Sequence, residues 1–273
     1  MPSNKQRREA AQRRLQRQLE RRAELARKRR RNVLVGTAAL AVVVVVGAVL
    51  LITGLNGDDS TDTASSPGAA ASTPAADGVV DGADGTCDFT PDPAASDTTT
   101  DVGIPPAEVV ATGTSMLSMV TNVGTIGLTL DRAAAPCAAA SFDYLTQQKF
   151  FDGTPCHRET DSEGLKVLQC GDPSGTGTGG PSYTFPTQVT GAETYPRGTL
   201  AMANSGQGTD GSQFFLVYGD SDLPPDYTVV GTIDEPGLAV LDTIAAAGND
   251  GSNGPNDGAP TQPVTIESMT VVA

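Results

Sequence analysis

The sequence predicts a mainly β fold, a closed or sandwiched antiparallel sheet with two helices, tethered behind one transmembrane helix. Three observations carry this. Short apolar runs separated by Gly and Pro turns recur from about Val102 to the C-terminus, the pattern of many short strands. Only two stretches in that region have helical spacing, too few for alternating βα units. Far upstream, "VLVGTAALAVVVVVGAVLLITGL" (Val33–Leu55) has no charge and no proline.

Residues 1–32 form a basic segment. Residues 1–31 hold thirteen of the 18 Lys and Arg against three acids, Glu9, Glu20 and Glu24, which leaves five bases against 29 acids in the rest. A cationic head therefore precedes an anionic body. In "RRLQRQLERRAELARKRRR" Leu15, Leu19 and Leu25 make only a thin apolar stripe, too little for a core. Basic runs also suit nucleic acid, but attraction to anionic lipid explains these charges from their position, so no nucleic-acid partner is expected.

At about 1.5 Å of helical rise per residue, residues 33–55 reach across a hydrocarbon core of about 30 Å. A cleaved signal peptide has an apolar region of only roughly 7–15 residues, and no cysteine follows closely enough to accept a lipid. The span is read as an uncleaved signal anchor in contact with membrane lipid. The Lys/Arg excess before it places the N-terminus in the cytoplasm and everything after Leu55 outside, a single-pass protein of the cell membrane. Residues 56–102 are rich in Asp, Ser, Thr, Ala, Gly and Pro, with almost no large apolar residue before Phe89. They are expected to be a disordered, acidic linker.

Residues 103–273 are the folded domain. "MLSMVTNVGTIGLTL" (Met116–Leu130) reads as two strands about an Asn-Val-Gly turn. "PCAAASFDYLTQQKF" (Pro136–Phe150) suits a helix, with proline in its first turn and Phe142 and Leu145 three apart. Strand-like runs follow at "LKVLQC", "GTLAMAN", "SQFFLVY" and "YTVVGTI". A second helix is expected at "LAVLDTIAAAG" (Leu238–Gly248) and a last strand at "VTIESMTVVA".

Four cysteines, Cys87, Cys137, Cys156 and Cys170, lie on the outer side of the span. In an oxidising compartment they read as two disulfides with three possible connectivities. The preferred pairing is Cys156 with Cys170 and Cys87 with Cys137. Strand parity speaks against the first of these: if Arg158 and Gln169 share a face, Cys156 shares it and Cys170 does not, unless a bulge intervenes. Zinc is not expected, because there is no C-x₂-C and His157 is the one histidine. As a general base His157 would want a nucleophile, and no Gly-x-Ser-x-Gly elbow occurs. "GTGTGG" (Gly175–Gly180) fits G-x-G-x-x-G by spacing, yet "PSYTFP" follows it and offers no helix N-terminus for a phosphate. It reads as a glycine-rich surface turn. In "SQFFLVY" the strand period places Gln213 and Phe215 on one face and Phe214 on the other.

Three separated stretches, "CHRET" with Arg158, "VLQCGDPSGTGTGG" with Gln169, and "GTLAMANSGQGTDGSQFFLVY" with Ala203, Asn204, Gln213 and Phe215, together resemble the cyclophilin family of peptidyl-prolyl isomerases. The likeness runs from about Met116 to the C-terminus. It implies a closed eight-stranded antiparallel barrel capped by two helices, and isomerisation of X-Pro bonds in segments of secreted or surface proteins during their folding. Position by position it implies Arg158 as the catalytic arginine. Substrate-groove positions would be His157, Gln169, Ala203, Asn204, Gln213, Phe215, Leu223 and Tyr227, with Phe215 in the floor of the proline pocket. No cofactor is implied, because rotating an amide breaks no covalent bond.

The chain also departs from that family. The segment from Arg158 to Gln169 is roughly three residues longer than in the commonest members. Lys166 stands where an aromatic is usual, so the pocket wall would fall to Leu165 or Val167, or be weaker. Asp222 stands about where cyclosporin-sensitive members carry tryptophan, so weak cyclosporin binding is expected. A non-catalytic module that binds proline peptides in the same groove is the alternative reading.

Overall fold

The computed structural model describes residues 81–92, 96–204 and 208–272. The basic segment, the apolar span at Val33–Leu55 and the linker up to residue 80 lie outside the described residues. Among those described, no helix is long and apolar enough to cross a membrane.

The end of the expected linker is instead part of the folded unit. β1 (Thr90–Pro91) pairs with a later strand at Tyr183 and Thr184, and β2 (Thr99–Thr100) runs parallel to Gly180–Pro181. Cys87 is buried and bonded to Cys137, while the Phe89 ring meets Tyr183 and Phe185 at 5.7 and 5.5 Å. Composition predicts disorder here because large apolar residues are scarce, but one crosslink, one phenyl ring and a few backbone bonds tie the segment down.

β3 (Thr114–Thr121) and β4 (Thr125–Asp131) form the first hairpin. Ser115, Leu117, Met119 and Thr121 alternate into the interior, and Thr121 Oγ1 accepts from the Val123 and Gly124 amides to close the turn. α1 (Pro136–Gln147) buries Cys137, Ala138, Ser141, Phe142 and Leu145 along one face. It stops three residues before Phe150, where Lys149 adopts a left-handed conformation with φ 56°.

Next come β5 (Thr154–Cys156), β6 (Arg158–Ser162), β7 (Leu165–Cys170), β8 (Gly180–Pro181), β9 (Tyr183–Pro186), β10 (Thr199–Asn204), β11 (Thr209–Gly219) and β12 (Val229–Ile233). α2 (Glu235–Ala247) begins three residues before the expected Leu238, because Asp234 caps it by accepting from the Gly237 amide at 2.8 Å. The same carboxylate accepts from the Gly127 amide, which fastens the helix start to β4. β13 (Asp257–Gly258) and β14 (Val264–Val272) complete the chain.

The strands form a curled antiparallel sheet with the two helices packed on it. Its order is β13-β6-β7-β11-β10-β12-β4-β3-β14-β5. β5 and β6 stand far apart in this order yet are successive in the chain, separated only by His157. The main core lies between the sheet's inner face and the helices. There Phe142 of α1 meets Phe151 and Phe214 at 5.6 and 5.1 Å, contacts each worth about 0.5–1.5 kcal/mol beyond area burial.

Candidate active site

Pairing register aligns residues from four strands in one transverse row. Arg158 of β6 opposes Gln169 of β7, Gln169 opposes Phe215 of β11, and Phe215 opposes Ala201 of β10. Side chains of residues directly opposed in a sheet share a face. Two residues earlier on β11, Gln213 joins this face.

Phe214 and Phe215, adjacent in sequence, go to different places. Phe214 belongs to the main core. Phe215, 4% exposed, belongs to a smaller cluster with Val167, Tyr195, Ala201 and Val217, and Leu165, Ala203, Leu223, Tyr227 and Val229 pack around that cluster while partly exposed. The Tyr227 ring stands nearly perpendicular to Phe215 at 5.5 Å. Tyr195 braces it: its hydroxyl donates to the Tyr227 carbonyl and accepts from the Tyr227 amide, both at 3.0 Å. The result is a small apolar cluster in which the Tyr227 ring meets Phe215 and Tyr195 edge to face.

A polar line runs beside it. Arg158 Nη1 donates to Gln169 Oε1 at 3.3 Å, and Gln169 Nε2 donates to Gln213 Oε1 at 2.9 Å. Gln213 Nε2 then donates to the Gly177 and Gly179 carbonyls at 3.1 and 2.9 Å. Those carbonyls belong to the glycine-rich turn, which buried Asp172 organises. Its carboxylate accepts from the amides of Ser174, Thr176 and Gly177; burial raises its pKa, but bonds from the Ser174 hydroxyl and from the Gly179, Ser174 and Gly177 amides outweigh that and hold it below the usual carboxylate range. The turn thus holds the Gln213 amide by two bonds.

Arg158 makes a second contact that spacing along the chain does not signal. Its Nε and Nη2 donate to the two carboxylate oxygens of Asp257, each at 2.8 Å. These bonds raise the arginine pKa further and lower that of Asp257. Asp257 lies 99 positions away in a polar Asn/Asp/Gly loop, where composition signals only a turn.

The remaining site residues sit as follows. Asn204, at the end of β10, donates through Nδ2 to the Asp226 carbonyl at 2.8 Å. His157 is half-buried, its Nδ1 enclosed without a hydrogen-bond partner, and its ring lies beside the glycine-rich turn, 3.6 Å from where a Cβ on Gly177 would stand. Burial depresses its pKa first, opposed by the charge of Asp172 and aided by that of Arg158. Lys166 turns outward to pair with Asp161 at 2.9 Å, while Val167 is buried in the Phe215 cluster and Leu165 packs against that cluster. Asp222 is exposed, its amide bonded to the Gly164 carbonyl. Tyr195, absent from the expected site, is its most buried aromatic brace at 2% exposure.

The cysteines are joined as Cys87–Cys137 and Cys156–Cys170. The parity objection to the second bond is met by the break at His157: β5 pairs with β14, and β6 with β7 and β13, so alternation does not carry from Arg158 back to Cys156. This disulfide joins the end of β5, two residues before Arg158, to the end of β7, next to Gln169.

The family model for cyclophilin type peptidyl-prolyl cis-trans isomerases matches residues 116–271. The probable peptidyl-prolyl cis-trans isomerase B of Mycobacterium leprae is 54% identical over 164 residues, 56% of this chain and 55% of that protein. Its counterpart from Mycobacterium tuberculosis (strain ATCC 25618 / H37Rv) is 55% identical over 165 residues, 56% of this chain and 53% of that one. The chain thus spans about half the length of these relatives. Peptidyl-prolyl cis-trans isomerase A of the same M. tuberculosis strain is 37% identical over 180 residues, 59% of this chain and 93% of that protein. Among solved structures, the cyclophilin type isomerase of Cryptosporidium parvum aligns with a TM-score of 0.51 and 27% identity, over 59% of this chain and 99% of that one. A structure of that protein in the presence of the dipeptide Ala-Pro aligns with a TM-score of 0.50 at the same identity, over 58% of this chain and 99% of that one. With its fold, its Arg-Gln-Gln line and the matched span all agreeing, the chain belongs to the cyclophilin family.

Proposed function

We propose that this chain is a peptidyl-prolyl cis-trans isomerase that works on proline-containing segments of secreted or surface proteins outside the cytoplasmic membrane, with Arg158 polarising the prolyl amide. The observation that carries the reading is the polar line Arg158–Gln169–Gln213 running beside the apolar cluster around Phe215.

An X–Pro bond resists rotation by about 18–20 kcal/mol because the nitrogen lone pair is delocalised into the carbonyl. A donor aimed at that nitrogen stabilises the twisted amide, in which the lone pair is localised, more than the planar one. A guanidinium has five N–H donors. Three on Arg158 are engaged by Asp257 and Gln169, which leaves one on Nη1 and one on Nη2 for substrate. The ring of proline would lie on Phe215, walled by Tyr227 and Val167, where little water competes for those donors. An acceleration of about 10⁵ would require about 7 kcal/mol of such differential stabilisation.

The two disulfides support an oxidising, extracytoplasmic location, and the uncharged stretch Val33–Leu55 behind a basic head supports a membrane anchor. The direct succession in the chain of β5 and β6, which stand near opposite ends of the strand order, supports closure of the sheet into a barrel.

The test is NMR exchange spectroscopy of a short Ala-Pro peptide with the full chain in detergent, beside Arg158→Ala. Acceleration that is largely lost in the folded variant supports the isomerase. Peptide binding without acceleration would replace it with the non-catalytic binding module.

A further inference from the structure

The loop from Asn249 to Pro260 packs against β6 and is fixed there at several points. Asn249 and Pro260 form a bridge across its base. Asn249 Nδ2 donates at 2.6 Å to Glu159, a carboxylate that is fully buried directly behind Arg158 in the chain. At the loop's far side β13 pairs with β6, Asp257 opposing Thr160 and Gly258 opposing Glu159. Asp250 Oδ1 accepts from the Ser252 and Ala259 amides, and a Cβ on Gly258 would fall 2.2 Å from that oxygen, so the loop's close crossing needs glycine. Asn253 Nδ2 donates to Asp257 Oδ1 at 3.2 Å. The Asp257 carboxylate is thus held on a fixed platform and presented edge-on to a guanidinium that would otherwise be a long, rotatable side chain.

We propose that Asp257 is a positioning residue for the isomerase reaction: its two-point clasp sets the plane of the Arg158 guanidinium so that the unused Nη1 and Nη2 donors face the prolyl nitrogen. The proposal rests on the isomerase reading of Arg158. Geometry favours positioning over inhibition, because the clasp takes Nε and one Nη2 hydrogen, while Gln169 takes one from Nη1. Two parallel charge-assisted bonds fix orientation in a way one bond cannot. Asp257 opposes Thr160 rather than a residue of the Arg158–Gln169–Phe215 row, and among the described residues its carboxylate bonds only to the Arg158 and Asn253 side chains, so its removal should act on turnover and leave peptide binding almost untouched.

The experiment measures peptide dissociation constant and bound-state exchange rate separately by NMR line-shape analysis, with the full chain in detergent. Variants are Asp257→Asn, Asp257→Glu, Arg158→Ala and Asp242→Asn. The last breaks an exposed pair with Arg197 and serves as the control for loss of an ion pair as such. Asp257→Asn should lower the bound-state rate about tenfold with affinity changed less than twofold, and the slowly exchanging Arg158 Nε–H signal should be lost. Asp257→Glu should restore part of both, and Asp242→Asn should change neither. If Arg158→Ala abolishes turnover while Asp257→Asn keeps the wild-type rate, positioning by Asp257 is overturned and the isomerase reading stands. If Arg158→Ala itself keeps the wild-type rate, the reading of Arg158 falls first. Equal losses of rate and affinity in Asp257→Asn, with a lowered unfolding midpoint, would mark Asp257 as a merely structural residue.

Discussion

Gln169 Nε2 donates to Gln213 Oε1 at 2.9 Å, and that bond decides which end of the Gln169 amide faces Arg158. Because Gln213 Nε2 is committed to two carbonyls of the glycine-rich turn, Gln213 can offer only its oxygen, and Gln169 must turn its own oxygen to the guanidinium. Replacing Gln169 by Ala removes both of its side-chain bonds, to Gln213 and to Arg158, and the one to Arg158 is worth about 1 kcal/mol net. Turnover on an Ala-Pro peptide should fall roughly fivefold to tenfold. Unfolding in urea should shift by less than about 1.5 kcal/mol. An unchanged rate would show that the line is structural.

Two neighbouring phenylalanines make a second prediction, because the strand separates their jobs. Phe214 contacts Phe142 and Phe151 in the main core, so Phe214→Ala should cost about 3–5 kcal/mol of stability while the folded fraction keeps its activity. Phe215→Ala should weaken peptide affinity much more strongly than Phe214→Ala does. Denaturant titration read beside peptide binding separates the two, and similar affinity losses in both would remove Phe215 from the proline pocket.

The alternation that divides Phe214 from Phe215 is legible in "SQFFLVY" because a strand has one simple period. So are the β3–β4 hairpin and both helices, whereas the grouping of Arg158, Gln169 and Gln213 follows from the family resemblance and not from the period of any strand. What was not legible depends on long-range closure. Asp257 reaches Arg158 only because the loop after α2 folds back onto β6, and Tyr195 reaches Tyr227 through a hydroxyl that no periodicity reports. The order of residues 81–92 and 96–102 follows from one crosslink and one phenyl ring in a stretch whose average composition says linker.

That crosslink gives a third prediction. Cys87–Cys137 spans 50 residues and Cys156–Cys170 spans 14. Loop-closure entropy sets ceilings of about 4 and about 3 kcal/mol for the two. The double variant Cys87→Ser, Cys137→Ser should lose stability toward the first ceiling and become open to proteolysis between residues 81 and 102. Cys156→Ser, Cys170→Ser should also lower turnover, since that bond flanks Arg158 and Gln169. Limited proteolysis and peptide exchange measure the two effects, and a resistant 81–102 segment would mean its β contacts suffice.

Acid dependence supplies the fourth. Asp210 is buried opposite Asn204, accepting from Thr228 Oγ1 at 2.6 Å and Thr187 Oγ1 at 3.1 Å. Burial pushes its carboxyl up to about 6, with the hydroxyl bonds opposing. An unfolded aspartate titrates near about 3.9, so the folded chain binds this proton more tightly than the unfolded chain does. Its contribution to stability is therefore fully present below about pH 4 and is lost as pH rises toward about 6; the whole effect amounts to no more than about 3 kcal/mol. His157 has the opposite sign. Its pKa is depressed by burial, so the unfolded chain binds its proton more tightly, and stability falls as pH drops below about 6.5. The two slopes partly cancel in the wild type. Asp210→Asn removes the aspartate's slope, and the variant's gain over wild type should grow steadily from pH 4 to pH 6 and then level. Urea unfolding across pH 4–8 measures that difference, and a gain independent of pH would mean that Asp210 is ionised in the fold throughout this range.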